Sequence, residues 1–273
     1  MRSLALIALA FISAAPALAQ TAYSRSDGTE IDAKVLAAAG CAPLAIISHG
    51  LGGNSRGNAG LATALNRAGF RVIVPSHSES GPGLLRQVIL GGRDALGRAA
   101  SDPKLLALRI ADIGAILSTE TKRCAVPFTV LAGHSMGSRT VHIEAGAGNS
   151  AGIRGQDRFD AYISVSPLGE GGSGMFPPGA YSTIRKPMLM ITGTKDQSVD
   201  GSYETRLSAF QGLSPGQKRL AVIEGASHLA LGGRQDDGVG AQVGALAVEF
   251  LRQVRNGRWG PVERRAGIVI AEK

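Results

Sequence analysis

Aromatic residues make up only 4% of this 273-residue chain, with a single Trp, so it lacks the rings on which a nucleic-acid platform stacks bases. The formal net charge of +8 does not restore that reading. Apart from a cluster at Arg252, Arg255, Arg258, Arg264 and Arg265 the basic residues are dispersed, and a solvated basic face accounts for them. Metal-ligand spacing is missing too, since no His-x-x-x-His pair occurs. Past residue 20, no apolar run approaches the roughly 20 residues that a bilayer-spanning helix needs. Cysteine is scarce: Cys41 and Cys124 permit one pairing.

Cofactor loops fail on their defining residues. Ser48-His49-Gly50-Leu51-Gly52-Gly53 has the glycines of a phosphate cradle. However, Asn58 stands where a Walker A loop needs Lys, Ser55 stands where a dinucleotide fingerprint needs its third glycine, and no acidic residue follows Val74-Pro75. No cofactor and no metal are therefore expected. There are no internal repeats, and the glycine-rich stretches at 169–174 and 232–240 are too short to link domains.

The amino terminus carries an address. Met1-Arg2, the apolar stretch Leu4 to Ile12 and the ending Ala17-Leu18-Ala19 have the charged, apolar and A-x-A parts of a secretory signal peptide. Residues 1–19 are thus read as a leader, with the mature chain starting near Gln20 and destined for the periplasm or the medium. Residues 20–273 are a normal length for one α/β domain.

Apolar runs of strand length alternate with stretches of helical period along that domain. Strands are expected at Leu44 to Ser48, Arg71 to Val74, Phe128 to Ala132, Ala161 to Val165, Met188 to Thr192 and Leu220 to Ile223, and a short one at Ile268 to Ile270. Helices are expected at Arg56 to Ala68, after Ser101-Asp102-Pro103, and at Ser138 to Ala147, Tyr203 to Phe210 and Val239 to Val254. Thr21 to Ala39 gives one or two short edge strands at most. Glu79 to Gly97 is irregular, with Leu84 to Leu90 able to form an amphipathic helix. The alternation implies a mainly parallel sheet covered by helices on both faces. Cys41 and Cys124 each precede a strand, so in neighbouring parallel strands both thiols would lie at the same sheet end. A structural disulfide is expected, with two free thiols as the alternative.

Gly133-His134-Ser135-Met136-Gly137 joins an apolar strand to a helix. Glycines on both sides of the serine suit a sharp turn that lifts its hydroxyl clear of the sheet. A serine needs a base, and among the five histidines His228 follows the last core strand, where a late loop can bring imidazole to the centre of the sheet. Asp196, after the Met188 to Thr192 strand, is placed to orient that imidazole. Asp200 and Glu170 are its rivals, the first reading as a helix cap and the second as a loop residue. Two backbone donors would hold an oxyanion: Met136 N–H from the turn, and Leu51 N–H from the glycine loop. His77 and Arg139 read as packing or surface residues.

Taken in order, Ser-His-Gly-Leu-Gly-Gly at 48–53, Gly-His-Ser-Met-Gly at 133–137, Thr-Gly-Thr-Lys-Asp at 192–196 and Gly-Ala-Ser-His at 225–228 resemble the oxyanion, nucleophile, acid and base segments of the α/β-hydrolase superfamily. The resemblance spans residues 42 to 255. It is nearest in flavour to dienelactone-hydrolase-like and platelet-activating-factor-acetylhydrolase-like esterases, and the spacing of Arg109 to Ile113 before the turn is similar to theirs. True dienelactone hydrolases use cysteine, so Ser135 argues against that activity. Ser166 to Pro187 is too short and too rich in Gly and Pro for a large cap, which implies an open site bounded by segments 79–97 and 166–183. The expectation is an exported carboxylic-ester hydrolase acting on a small-molecule ester. Amide or peptide hydrolysis, perhydrolysis, and a non-catalytic binding role on the same scaffold are the alternatives.

Overall fold

The structure is a computed structural model that describes residues 22–171, 174–197, 201–235 and 238–273. The leader, the start near Gln20 and the rival Asp200 lie outside the described residues. In chain order the strands are β1 (Tyr23–Ser24), β2 (Glu30–Ile31), β3 (Ala33–Leu36), β4 (Leu44–Ser48), β5 (Arg71–Pro75), β6 (Thr129–His134), β7 (Ala161–Val165), β8 (Met188–Lys195), β9 (Lys218–Ser227) and β10 (Ile268–Glu272). The helices are α1 (Ala59–Arg67), α2 (Pro82–Leu90), α3 (Gly92–Ala100), α4 (Pro103–Arg123), α5 (Met136–Glu144), α6 (Tyr203–Gly212), α7 (His228–Leu231) and α8 (Val239–Arg255).

β1 and β2 form a separate ribbon, while the main sheet has eight strands in the order β10-β9-β8-β7-β6-β4-β5-β3. Its six inner strands run parallel, and only the edges β3 and β10 are antiparallel. β4 pairs with β5 on one side and β6 on the other, so the strand order reverses there. Such a switch point opens a crevice at the carboxyl ends of the strands.

The inner strands are apolar on both sides because both faces are covered. Ile46, Leu131, Tyr162 and Met190 pack against Ile113 and Ile116 of α4 and Val141 of α5, while Ile47, Val130, Ile163 and Leu189 meet Leu65 of α1 and Phe250 of α8. α4 begins where the sequence marks it: Asp102 Oδ1 accepts from Lys104 N–H at 2.8 Å and Leu105 N–H at 3.2 Å, with Pro103 at the first helical position.

Three expectations need correction. The amino-terminal region contributes three short strands, and the third joins the main sheet. Segment 79–97 is mostly helical, in α2 and α3, because its apolar residues sit at helical spacing with Gly91 and Gly92 as the break. β8 and β9 also run further than their apolar runs. They continue as a two-strand ribbon to the pair Lys195↔Ser227, with an irregularity between Gly193 and Lys195. Backbone pairing carries this extension through the exposed Glu224 and Gly225 to the buried Ala226.

Cys41 and Cys124 are joined by a disulfide with Cα atoms 5.6 Å apart. They lie at the amino ends of the adjacent strands β4 and β6. With a sequence separation of 83 between the two, loop-closure entropy sets an upper stabilisation of about 4.5 kcal/mol. Replacing both cysteines by serine should therefore lower the unfolding free energy by about 2–4 kcal/mol in urea titration. A midpoint unmoved by that change, or by reductant, would contradict the bond's structural role.

Four of the five histidines, His49, His77, His134 and His142, are buried. Burial pushes His49 down to about 2, His134 and His142 to about 3, and His77 well below its usual value. His142 packs edge-on against Tyr181 and Phe176, and neither ring nitrogen has a hydrogen-bond partner among the described residues. The unfolded chain takes up these protons near pH 6.5 and the folded chain does not, so stability is full above that pH and is lost as pH falls below it. Each imidazole contributes about 1.4 kcal/mol per pH unit. Asp112 and Glu79, whose carboxyls burial raises, offset part of this nearer pH 4. The thermal midpoint should fall steeply between pH 6.5 and 5, and His142→Phe should flatten the slope by about one proton. A flat profile over that range would contradict the burial of neutral imidazoles.

Candidate active site

Ser135 sits in the crevice at the end of β6, held at φ 56° and ψ −115°, a conformation side chains other than glycine rarely adopt. Close approach of the backbone maintains it. A Cβ on Gly133 would lie 2.3 Å from the Gly137 carbonyl oxygen, and one on Gly137 would lie 2.0 Å from the Ser48 carbonyl oxygen, so neither position admits a side chain. α5 starts at Met136, whose N–H has no carbonyl within the helix to bond.

His228 and Asp196 reach the serine on the β8–β9 ribbon, each standing one residue past the pair Lys195↔Ser227. His228 Nε2 is 3.1 Å from Ser135 Oγ, and Nδ1 is 2.7 Å from Asp196 Oδ1. Asp196 is fully buried. Burial would raise its carboxyl, but the hydrogen bond from His228, the Arg206 guanidinium 3.0 Å away and the Ser166 hydroxyl together hold it below its ordinary value. Thr192 Oγ1 donates to Asp196 Oδ2 at 2.9 Å as well. The arrangement keeps a carboxylate beside the imidazole, which can then take a proton from the serine hydroxyl.

Leu51 lines a cavity of about 170 Å³ together with Ser135 and His228. Its N–H meets no acceptor among the described residues. Gly50 passes so near that a Cβ there would lie 3.4 Å from Ser135 Cβ. Leu96 and Ala100 of α3 and Leu229 complete the apolar lining. Segment 79–97 thus borders the cavity as expected through Leu96, whereas segment 166–183 contributes no lining residue among those described. Among the described residues of 166–187 the longest regular element is the 3-10 turn at Ala180–Thr183.

Several site residues have no motif to announce them. Ser166, at φ 57°, places its hydroxyl 2.9 Å from Asp196 Oδ1 and 2.8 Å from His228 Nδ1. It closes β7 one strand away from the acid, a position legible only once the strand order is known. His134 Nε2 donates to the His228 carbonyl at 2.9 Å and fixes the backbone that carries the base. Arg139 is buried and lines the cavity, with its Nη1 donating to Ser101 Oγ at 2.9 Å, so a surface reading does not hold for it. His77 is likewise buried, and its ring is hydrogen-bonded to Asp112 and Ser48, so it is not a surface residue either. Glu170 accepts from Tyr181 N–H at 3.3 Å, away from the imidazole.

No family model and no curated protein matches this chain. Solved structures do. A cold-adapted esterase from an Arctic intertidal metagenomic library aligns with TM-score 0.63 at 19% identity, over 85% of this chain and 91% of that one. The dienelactone hydrolase of Anabaena variabilis aligns with TM-score 0.56 at 20% identity, over 85% and 95%. Est1E of Butyrivibrio proteoclasticus, solved with ferulic acid bound, aligns with TM-score 0.58 at 18% identity, over 85% and 100%. Together with the switch point at β4 and the turn at Ser135, these likenesses show that the chain has the α/β-hydrolase fold.

Proposed function

We propose that the protein is an exported serine hydrolase of carboxylic esters, with residues 20–273 as one catalytic domain. One observation carries the reading: a single imidazole lies within hydrogen-bond reach of both a strained serine hydroxyl and a buried carboxylate. In this reading His228 Nε2 takes the Ser135 proton as Oγ attacks the ester carbonyl carbon. The carbonyl oxygen, now negative, is held by Leu51 N–H and Met136 N–H. Collapse breaks the bond to the alcohol oxygen, which leaves with the proton from His228, and the acyl group stays on Oγ. Water then repeats the steps, giving the carboxylic acid and free serine. Asp196 keeps Nδ1 protonated and stabilises the imidazolium without itself taking the proton.

Export is supported by the leader-like sequence at 1–19 and by the Cys41–Cys124 bond, which persists in oxidising compartments. Among the described residues no helix is long and apolar enough to cross a membrane. The cavity of about 170 Å³ favours short acyl groups. With p-nitrophenyl esters of increasing acyl length, turnover should be highest for two to four carbons and fall about tenfold or more by ten. Ser135→Ala should lower kcat by about a millionfold while leaving the fold intact. Full hydrolysis by that variant would contradict the reading.

A further inference from the structure

Behind the loop that carries Leu51 lies a polar cluster that the proposed chemistry leaves unused. Ser48, His77, Arg109 and Asp112 are each at most 1% exposed. His77 Nδ1 donates to Asp112 Oδ2 at 2.7 Å, and His77 Nε2 accepts from the Ser48 hydroxyl at 3.0 Å. These are the residue types of the catalytic trio, but Ser48 is fully buried and no acyl group reaches it. Arg25 pairs with Asp112, and Arg109 with Glu79 at 3.2 Å. Two guanidiniums thus balance two carboxylates. Although His77, Glu79 and Asp112 bring ligand atoms within 4.8 Å of one another, the charge that a metal ion would supply is already present.

Two hydrogen bonds run from this cluster to the loop. Arg109 Nη1 donates to the His49 carbonyl, and the His77 backbone N–H donates to His49 Nε2 at 3.1 Å. Accepting at Nε2 leaves the proton of a neutral ring on Nδ1. Nδ1–H donates to the Gly50 carbonyl at 2.7 Å, and that carbonyl also accepts from Gly53 N–H at 3.0 Å. No peptide bond here is cis, so Leu51 N–H points opposite to the Gly50 carbonyl. A glycine-rich segment can rotate a peptide plane at little steric cost, so something must hold this one.

We infer that His49 is a positioning residue: the buried cluster fixes its ring, and the ring locks the Gly50–Leu51 peptide so that Leu51 N–H stays turned toward the oxyanion. The inference rests on the serine-hydrolase reading. It also explains Gly53, where a Cβ would lie 2.8 Å from His49 Nδ1 and 3.0 Å from the Gly50 carbonyl oxygen. A side chain there would part the ring from the carbonyl it holds.

The test compares His49→Leu, His49→Asn and Gly53→Ala with the unaltered protein, each checked for folding by circular dichroism. Loss of one oxyanion donor costs about a hundredfold in kcat. His49→Leu and Gly53→Ala should approach that loss with KM little changed, and His49→Asn, whose amide nitrogen can replace Nδ1, should recover most of it. The inhibition constant of a trifluoromethyl ketone, whose serine adduct bears the same oxyanion, should rise by the factor by which kcat/KM falls. Unchanged kcat and inhibition in folded His49→Leu and Gly53→Ala, or a change in KM alone, would overturn the inference. If His49→Leu does not fold, Gly53→Ala decides the matter. An unaltered protein that neither hydrolyses esters nor traps the ketone would instead overturn the serine-hydrolase reading, and this inference with it.

Discussion

The site depends on one steric constraint, the passage of the chain at Gly137 against the end of β4. The first turn of α5 lies so close to the Ser48 carbonyl that even a methyl group there would overlap it, and Gly133 meets the same crowding from Gly137. Only such an approach brings α5 down onto the switch point. Ser135, between the two glycines, is left with dihedral angles it would not otherwise take. The strain is held by the packing of β4, β6 and α5 around it, whose buried side chains form part of the core on each face of the sheet. Stability stored in that core is thus converted into the exposure of one hydroxyl.

The second requirement is to bring a carboxylate and an imidazole to that hydroxyl from the other half of the sheet. The β8–β9 ribbon does this by register, because pairing Lys195 with Ser227 makes Asp196 and His228 neighbours. Gly193 lets the strands close, since a Cβ there would lie 2.3 Å from the Ala226 carbonyl oxygen. Burying Asp196 is costly, and its partners are correspondingly numerous: Thr192, Ser166, Arg206 and His228 all face it. Fewer partners would leave a carboxyl that burial neutralises, and a neutral acid would not support an imidazolium.

Much of this is legible in the amino-acid sequence. Strands buried on both faces announce themselves as apolar runs, and Gly-His-Ser-Met-Gly, Asp196, His228 and the Leu51 loop stand in the order that the fold requires. What escaped was whatever depends on distance across the sheet. Ser166 has no local signature, because its role exists only once β7 lies beside β8. The β9 extension through Glu224 and Gly225 is polar, so periodicity misses it although the ladder continues. The cluster of Arg25, His77, Arg109 and Asp112 draws on residues up to 87 positions apart, whose charges read singly as surface groups.

The central claim is that Ser135 is an activated nucleophile. Reaction with a fluorophosphonate, followed by peptide mass analysis, tests it without reference to any particular substrate. One adduct per chain is predicted, confined to Ser135 and slowed by at least about a hundredfold in His228→Ala, since the hydroxyl then loses its base. A protein that remains unlabelled, or that is labelled elsewhere with no dependence on His228, would contradict the account.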